Sequence, residues 1–246
     1  MEKDYIKFYS RYLNREMEIN VYGHTGKPCL VFPAQDGRFY DFAGFGMVEV
    51  AAPFIEEGKL QLFCIDSIDK ESWSDLNGDC RYRIEKHEQW FNYILEEVVP
   101  FIFDYNQTGM KIMTTGCSMG ASHAANFFFR RPDVFDTVIA LSGYYSSDMF
   151  FNNYMDDLVY ANSPLHYLEG MSYDHPHVQK YRENNIIICT GQGAWEDDMI
   201  RSTTRLKELL EYKDVGAWID FWGYDVNHDW PWWRIQFPYF LEKVLG

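Results

Sequence analysis

Residues 111–121, KIMTTGCSMGA, join a short apolar segment to a serine that stands between two glycines. Gly116, Ser118 and Gly120 match the pattern G-x-S-x-G, in which a sharp turn from a strand into a helix holds the serine hydroxyl above a sheet. Both glycine positions require small residues, because a side chain there would collide with the neighbouring strand and helix. The pattern predicts that Ser118 is a nucleophile, and the alternative is a serine that only caps a helix beginning at Ala121.

Apolar segments on both sides of this turn predict a sheet. Alternating or continuous apolar residues indicate strands at 17–22, 29–32, 60–65, 112–115, 137–141, 186–190 and 217–221. Helical periodicity falls between them, at 83–103, 121–130, 199–212 and about 232–245. Near-continuous apolar strands need cover on both faces, so we expect a doubly wound α/β fold with a mostly parallel sheet. No repeat or linker divides residues 1–246, which predicts a single domain.

The segment from Tyr144 to His177 fits neither the strand nor the helix period. It is rich in aromatic residues, Asn and Asp, and it lies between two predicted strands. Long connections within compact domains usually have a function. We therefore expect residues 144–177 to form a short lid-like insertion that covers the site and selects substrates.

Composition excludes several classes of partner. The chain has 246 residues, with 22 Lys and Arg against 37 Asp and Glu, for a net charge of −15. An acidic surface repels phosphate backbones and anionic bilayers, so neither nucleic acid nor a membrane is expected as a partner. The five cysteines are odd in number and widely spaced without a C-x-x-C pair, which is typical of reduced thiols and gives no zinc pattern. Charged residues at 2–4 and 7 interrupt any signal-peptide pattern, so we expect a cytoplasmic protein.

In this type of site, a nucleophilic serine needs a histidine base and an orienting carboxylate. Along the chain the acid follows the serine, and the histidine follows the acid. His228 lies in the loop after the last predicted strand, at the carboxyl edge of the sheet, where the serine turn also lies. Three acids in succession, Glu196, Asp197 and Asp198, follow the preceding strand. We favour Asp197 over Glu196 as the orienting acid, and we assign Asp198 to the positive end of the following helix.

An oxyanion that forms during attack on a carbonyl group would need two backbone N–H donors. One is expected from Met119, directly after the serine, and the other from the loop after the strand at 29–32. That loop begins with Pro33, which has no N–H, so Gln35 is predicted as the second donor. Cys117 allows the alternative of a cysteine nucleophile, but the centre of the turn is Ser118, and we expect Cys117 to pack into the sheet.

Several motifs resemble the putative-esterase family of α/β-hydrolases, relatives of esterase D, feruloyl esterases and mycolyltransferases. They are GCSMG at 116–120, RRPDVFD at 130–136 with ALSG at 140–143, GQGAWED at 191–197 and NHDWPWW at 227–233. The resemblance runs from about residue 15 to the end of the chain. It implies an α/β-hydrolase fold and a serine hydrolase that acts on small-molecule carboxylic esters through Ser118, His228 and an acid at Asp197 or Glu196. It implies no metal or organic cofactor, and it does not specify the substrate.

Two alternatives remain open at this point. The same three residues could transfer an acyl group to an alcohol or amine, which would make the protein an acyltransferase. The second alternative is a protein with this fold but without catalytic activity, which binds carbohydrate or acts as a scaffold. Only the aromatic residues of the sequence favour it. Five tryptophans near the predicted acid and histidine loops could form an apolar wall around the site or could simply pack the last helix: Trp195, Trp222, Trp230, Trp232 and Trp233. The sequence indicates no oligomeric state.

Overall fold

A single sheet of eight strands organises the structure, a computed structural model that describes residues 1–246. The strands are β1 (Lys3–Ser10), β2 (Arg15–Tyr22), β3 (Lys27–Phe32), β4 (Leu60–Ile65), β5 (Ile112–Cys117), β6 (Phe135–Leu141), β7 (Asn185–Thr190) and β8 (Trp218–Phe221). Their order across the sheet is β1-β2-β4-β3-β5-β6-β7-β8. Only β2 runs antiparallel to its neighbours, and every other pair is parallel. The predicted α/β fold with a mostly parallel sheet is confirmed, and the single domain stays a prediction.

Eleven α-helices lie between and after the strands. They are α1 (Asp41–Gly44), α2 (Met47–Glu56), α3 (Cys80–Tyr93), α4 (Val99–Asn106), α5 (Met119–Arg130), α6 (Asp148–Phe151), α7 (Asp157–Ala161), α8 (Pro164–Gly170), α9 (Pro176–Glu183), α10 (Asp197–Tyr212) and α11 (Trp230–Leu245). A π-helical stretch, Ile94–Val98, joins α3 to α4, so the predicted helix at 83–103 is part of a longer helical segment. None of these helices combines the length and the apolar character that crossing a membrane would require.

The helices cover both faces of the sheet and bury its strands. On one face α3 and α5 contribute Trp90 and Phe127 to the larger apolar core. On the other face α2 and α11 contribute Val48 and Phe237 to a second core. Every residue of β4 and β5 is buried between these two layers. The near-continuous apolar strands in the sequence therefore correspond to strands without a solvent face.

The elements that the sequence did not predict include β1 and α2. β1 is an edge strand whose outward residues are exposed, and it is held by pairing along its whole length with β2. Such pairing depends on a distant segment and leaves only a weak local pattern. α2 contains Pro53, which cannot donate a backbone hydrogen bond inside a helix, yet α2 forms because it packs against α11.

The predicted insertion at 144–177 consists mainly of short helices that pack against α3, α5 and α10. Asn162, which follows α7, accepts hydrogen bonds from Asn126 Nδ2 at 2.8 Å and from Arg130 Nη1 at 2.6 Å. Its own Nδ2 donates to Glu88 Oε1 at 2.6 Å, and Arg130 pairs with the same carboxylate. This partly buried network fixes the insertion to α3 and α5. Its role as a lid stays a prediction.

Candidate active site

Ser118 stands at a strained turn between β5 and α5. Its φ is 57° and its ψ is −126°, a conformation that is costly for a residue with a side chain. The Ser118 amide donates to the Leu141 carbonyl at 2.9 Å, so the end of β6 holds the turn in place. The side chain makes no capping hydrogen bond to α5. The alternative in which this serine only caps a helix is therefore wrong.

Gly116 and Gly120 allow the turn to pass close to its neighbours. A Cβ on Gly116 would lie 2.4 Å from the backbone of Gly120, and a Cβ on Gly120 would lie 2.4 Å from the carbonyl oxygen of Phe32. Both contacts are to backbone atoms, so no side-chain rotation relieves them. The close packing of β3, β5 and α5 at this point therefore requires both glycines.

We expect Gly120→Ala to lower the free energy of unfolding by about 3 kcal/mol, since the added methyl group must displace backbone. Gly216→Ala is the matched control, because a Cβ on Gly216 meets no atom within 4 Å. Chemical denaturation of both variants measures the difference. Equal stability of the two variants would contradict the packing argument.

His228 lies in the loop between β8 and α11, and its ring reaches the serine. Its Nε2 is 2.8 Å from Ser118 Oγ. The backbone fixes the loop, because the His228 amide donates to the Ala194 carbonyl at 3.0 Å. The ring packs edge-on against Trp233 with the ring centroids 5.0 Å apart. The structure thus brings together the two residues that the sequence placed at the same sheet edge.

Glu196 is the acid that lies behind the imidazole. Its Oε2 is 3.3 Å from His228 Nδ1, and its side chain is fully buried. Thr190 Oγ1 donates to the same oxygen at 3.0 Å, and Ser142 Oγ donates to Oε1 at 2.6 Å. A buried carboxylate is tolerated only when it has such partners. Trp233 Nε1 in turn donates to Ser142 Oγ at 3.1 Å, which fixes the hydroxyl that holds the acid.

The prediction that Asp197 orients the histidine is therefore wrong, because Glu196 takes that position. Asp197 is the first residue of α10, its side chain is exposed, and it makes no contact with His228. The reason lies one residue before the acid, where Trp195 has a φ of 69°. That turn directs the Glu196 side chain inward and the next side chain to solvent at the helix N-terminus, where a negative charge is favourable. Asp198 is also in this first turn, and it contacts Arg201.

Ser142 and Thr190 are the residues near the acid that sequence reasoning missed. Ser142 directly follows β6, and Thr190 is the last residue of β7, so both lie at the carboxyl edge of the sheet. Ser142 also has a left-handed φ of 58°. The signal that could have found them is their position: both are polar residues directly at the end of an apolar strand, at the edge where ligands collect.

A cleft of about 270 Å³ opens above Ser118. Its wall includes Tyr144, Met149 and Phe150 from the predicted insertion, together with Met119 and Gln35. These last two residues are the predicted oxyanion donors, and they lie on separate elements, at the start of α5 and in the turn after β3. The backbone N–H of neither donates to a backbone carbonyl. Their role as donors stays a prediction. No group of three His, Cys, Asp or Glu side chains is placed to hold a metal ion.

Cys117 does not reach the cleft. It is buried under the turn, and burial raises the pKa of its thiol well above the usual range. A thiol in that state is a poor source of thiolate. The position of Cys117 agrees with the expectation that it packs into the sheet, and it argues against the alternative of a cysteine nucleophile.

Among the five tryptophans near the acid and histidine loops, Trp233 packs its ring on His228. Trp230 packs on Trp233 and stacks on Phe45, with ring centroids 4.9 Å and 4.3 Å apart. Trp222 packs against Phe240 of α11. Trp195 is 83% exposed. These four tryptophans divide between the site, the last helix and the surface, so the five do not form one wall.

A family model described as "Putative esterase" matches residues 10–243. The chain belongs to the putative esterase family. This membership supports a hydrolase of carboxylic esters with small-molecule ester substrates. A comparison with curated proteins gives no match.

Solved structures of similar proteins share the fold at low identity. A ferulic acid esterase has a TM-score of 0.78 and 16% identity, with 99% of this chain and 98% of that chain covered. An S-formylglutathione hydrolase from Agrobacterium tumefaciens gives 0.77 and 15%, with 99% and 95% covered. FphF, a fluorophosphonate-binding serine hydrolase of Staphylococcus aureus, gives 0.74 and 13%, with 100% and 98% covered. The α/β-hydrolase fold and the family that the sequence motifs resembled are confirmed.

Proposed function

We propose that this member of the family is a serine-dependent carboxylic ester hydrolase. Ser118 is the nucleophile, His228 the general base, and Glu196 the acid that orients the imidazole. The observation that carries the proposal is the 2.8 Å separation of Ser118 Oγ and His228 Nε2, with a fully buried carboxylate at the other ring nitrogen. This arrangement is the one that activates a serine hydroxyl for attack.

In the first half of the reaction an acyl group moves to the serine. Ser118 Oγ bonds to the ester carbonyl carbon while His228 Nε2 takes the hydroxyl proton, and the carbonyl electron pair moves to oxygen. The backbone N–H groups of Met119 and Gln35 stabilise that oxyanion. When the electron pair returns, the ester C–O bond breaks and His228 gives its proton to the leaving alcohol. An acyl-enzyme remains.

The second half of the reaction releases the acid. A water molecule gives a proton to His228 Nε2 and attacks the acyl carbon, which again forms an oxyanion at the same two donors. The bond to Ser118 Oγ then breaks, and the serine recovers its proton from His228. The cleft volume of about 270 Å³ is slightly below the usual range of ligand pockets, which favours a small ester substrate. Location in the cytoplasm stays a prediction from the cysteine pattern and the charged residues near the start of the sequence.

Covalent labelling tests this proposal directly. We expect a fluorophosphonate probe to label the purified protein once, and mass spectrometry of the peptides to place the adduct on Ser118, because an unactivated serine does not react. The labelled protein should lose its activity toward p-nitrophenyl acetate in proportion to labelling. Absence of labelling, or an adduct on another residue, would contradict the proposal. Product analysis with an added alcohol separates hydrolysis from acyl transfer.

A further inference from the structure

A second histidine and carboxylate lie close together below the cleft, outside the Ser118, His228 and Glu196 group. His123 Nε2 on α5 is 2.9 Å from Asp69 Oδ1, and the two side chains are only 3% and 1% exposed. A buried carboxylate is costly without partners, so the pair is a built feature of the fold. The proposed reaction uses neither residue.

The second oxygen of Asp69 contacts the turn that carries a proposed oxyanion donor. Asp69 Oδ2 accepts a hydrogen bond from the Asp36 amide at 3.3 Å. Asp36 directly follows Gln35 and has a φ of 59°, a left-handed conformation that surrounding contacts must maintain. The Gln35 side chain adds one more contact, from Nε2 to Ser74 Oγ at 3.0 Å. The contact with Asp69 holds the backbone of the turn at Asp36. Other bonds hold the adjacent Gly37, whose N–H donates to the Ala34 carbonyl at 2.8 Å and whose carbonyl accepts from Ser67 Oγ at 3.1 Å.

The histidine end of the pair is held rigidly. The His123 ring stacks on His87 with centroids 5.5 Å apart and meets Trp90 edge-on at 5.0 Å. His87 accepts a hydrogen bond from Trp73 Nε1 at 3.0 Å, and burial lowers the pKa of His87 well below its usual range. An uncharged His87 therefore packs on His123 without competing for the carboxylate.

We propose that Asp69, held by His123, is a positioning residue that sets the separation of the two oxyanion donors. Met119 and His123 lie on the same helix, and Gln35 and Asp36 lie on the same turn, so the Asp69 carboxylate joins the two halves of the donor pair. Donors stabilise an oxyanion only when both lie within hydrogen-bond distance of it. This inference rests on the proposed function of Ser118.

Asp69→Asn tests the role at the carboxylate. An amide has one acceptor oxygen and no charge, so the Asp36 amide either loses its contact or keeps a weaker bond to a neutral oxygen. His123 then keeps its own contact only by accepting from the NH₂ group in its other tautomer. We expect kcat for p-nitrophenyl acetate to fall by about 10- to 100-fold with little change in KM, somewhat less than the loss of a donor itself. Affinity for a trifluoromethyl ketone, whose adduct with serine places an oxyanion at the same donors, should fall by the same factor.

A matched control separates positioning from stability. Asp66 is also a buried carboxylate at this sheet edge, and it accepts from Arg38 and from the Phe39 amide. Asp66→Asn should reduce thermal stability and leave both kcat and ketone affinity close to those of the original protein. An equal loss of kcat in Asp66→Asn and Asp69→Asn overturns the inference. So does an Asp69→Asn variant whose kcat is unchanged or whose KM alone is altered.

A second pair of variants decides the matter even if Asp69→Asn does not fold. Glutamine at position 123 can still donate to Asp69, whereas methionine of similar length cannot. His123→Gln should keep most of the activity, and His123→Met should lose kcat as Asp69→Asn does; equal activity of the two variants overturns the inference. If the proposed function itself fails, Ser118→Ala would be as active as the original protein. That result distinguishes failure of the proposed function from failure of this inference.

Discussion

Replacement of Ser118 by alanine should lower kcat for p-nitrophenyl acetate by about 10⁴- to 10⁶-fold, the range that loss of a serine nucleophile causes in comparable sites. The reason is that the imidazole of His228, 2.8 Å from the hydroxyl, would have no nucleophile to deprotonate. The variant should retain some substrate binding, because the cleft wall and both backbone donors are unchanged. Steady-state kinetics, with circular dichroism to verify the fold, measure this effect.

Cys117→Ala provides the control within the same turn. The thiol is buried and points away from the cleft wall, so its removal should reduce stability and leave kcat nearly unchanged. Fluorophosphonate labelling should persist in this variant and disappear in Ser118→Ala. Activity that survives in Ser118→Ala and is lost in Cys117→Ala would reverse the assignment of the nucleophile.

The central part of the fold could be predicted because its strands are buried on both faces. β4 and β5 read as near-continuous apolar runs, and each is followed by a segment with helical periodicity, which together imply a parallel sheet. β1 could not be predicted in the same way. It has one exposed edge and is stabilised by pairing with β2. The residues of β1 alone do not indicate this pairing.

The candidate site shows the same division between local and non-local information. Ser118 could be located because its turn needs glycines at fixed spacing, and His228 because it follows a strand at the same sheet edge. The choice among consecutive acids could not be made from spacing, since each further residue at a helix start points in a different direction. Here the left-handed turn at Trp195 and the hydroxyls of Ser142 and Thr190 select Glu196.

Glu196→Gln should lower kcat by about 10³- to 10⁴-fold, close to the effect of the equivalent acid-to-amide change in a serine protease. The amide can present its NH₂ group to His228 Nδ1, which would then have to accept the hydrogen bond. In that tautomer Nε2 carries the proton and cannot take one from Ser118. The substitution preserves volume, so circular dichroism should show a folded protein and kinetics should show a loss in kcat.

Asp197→Asn is the matched variant, because it makes the same loss of charge one residue along the chain at an exposed position. Its kcat should stay within a few-fold of the original protein, since the side chain has no contact with the imidazole and gives up only a favourable charge at the helix N-terminus. The opposite pattern, with Asp197→Asn inactive and Glu196→Gln active, would restore Asp197 as the acid. It would also require the turn at Trp195 to rearrange, because only a different backbone there could direct Asp197 toward His228.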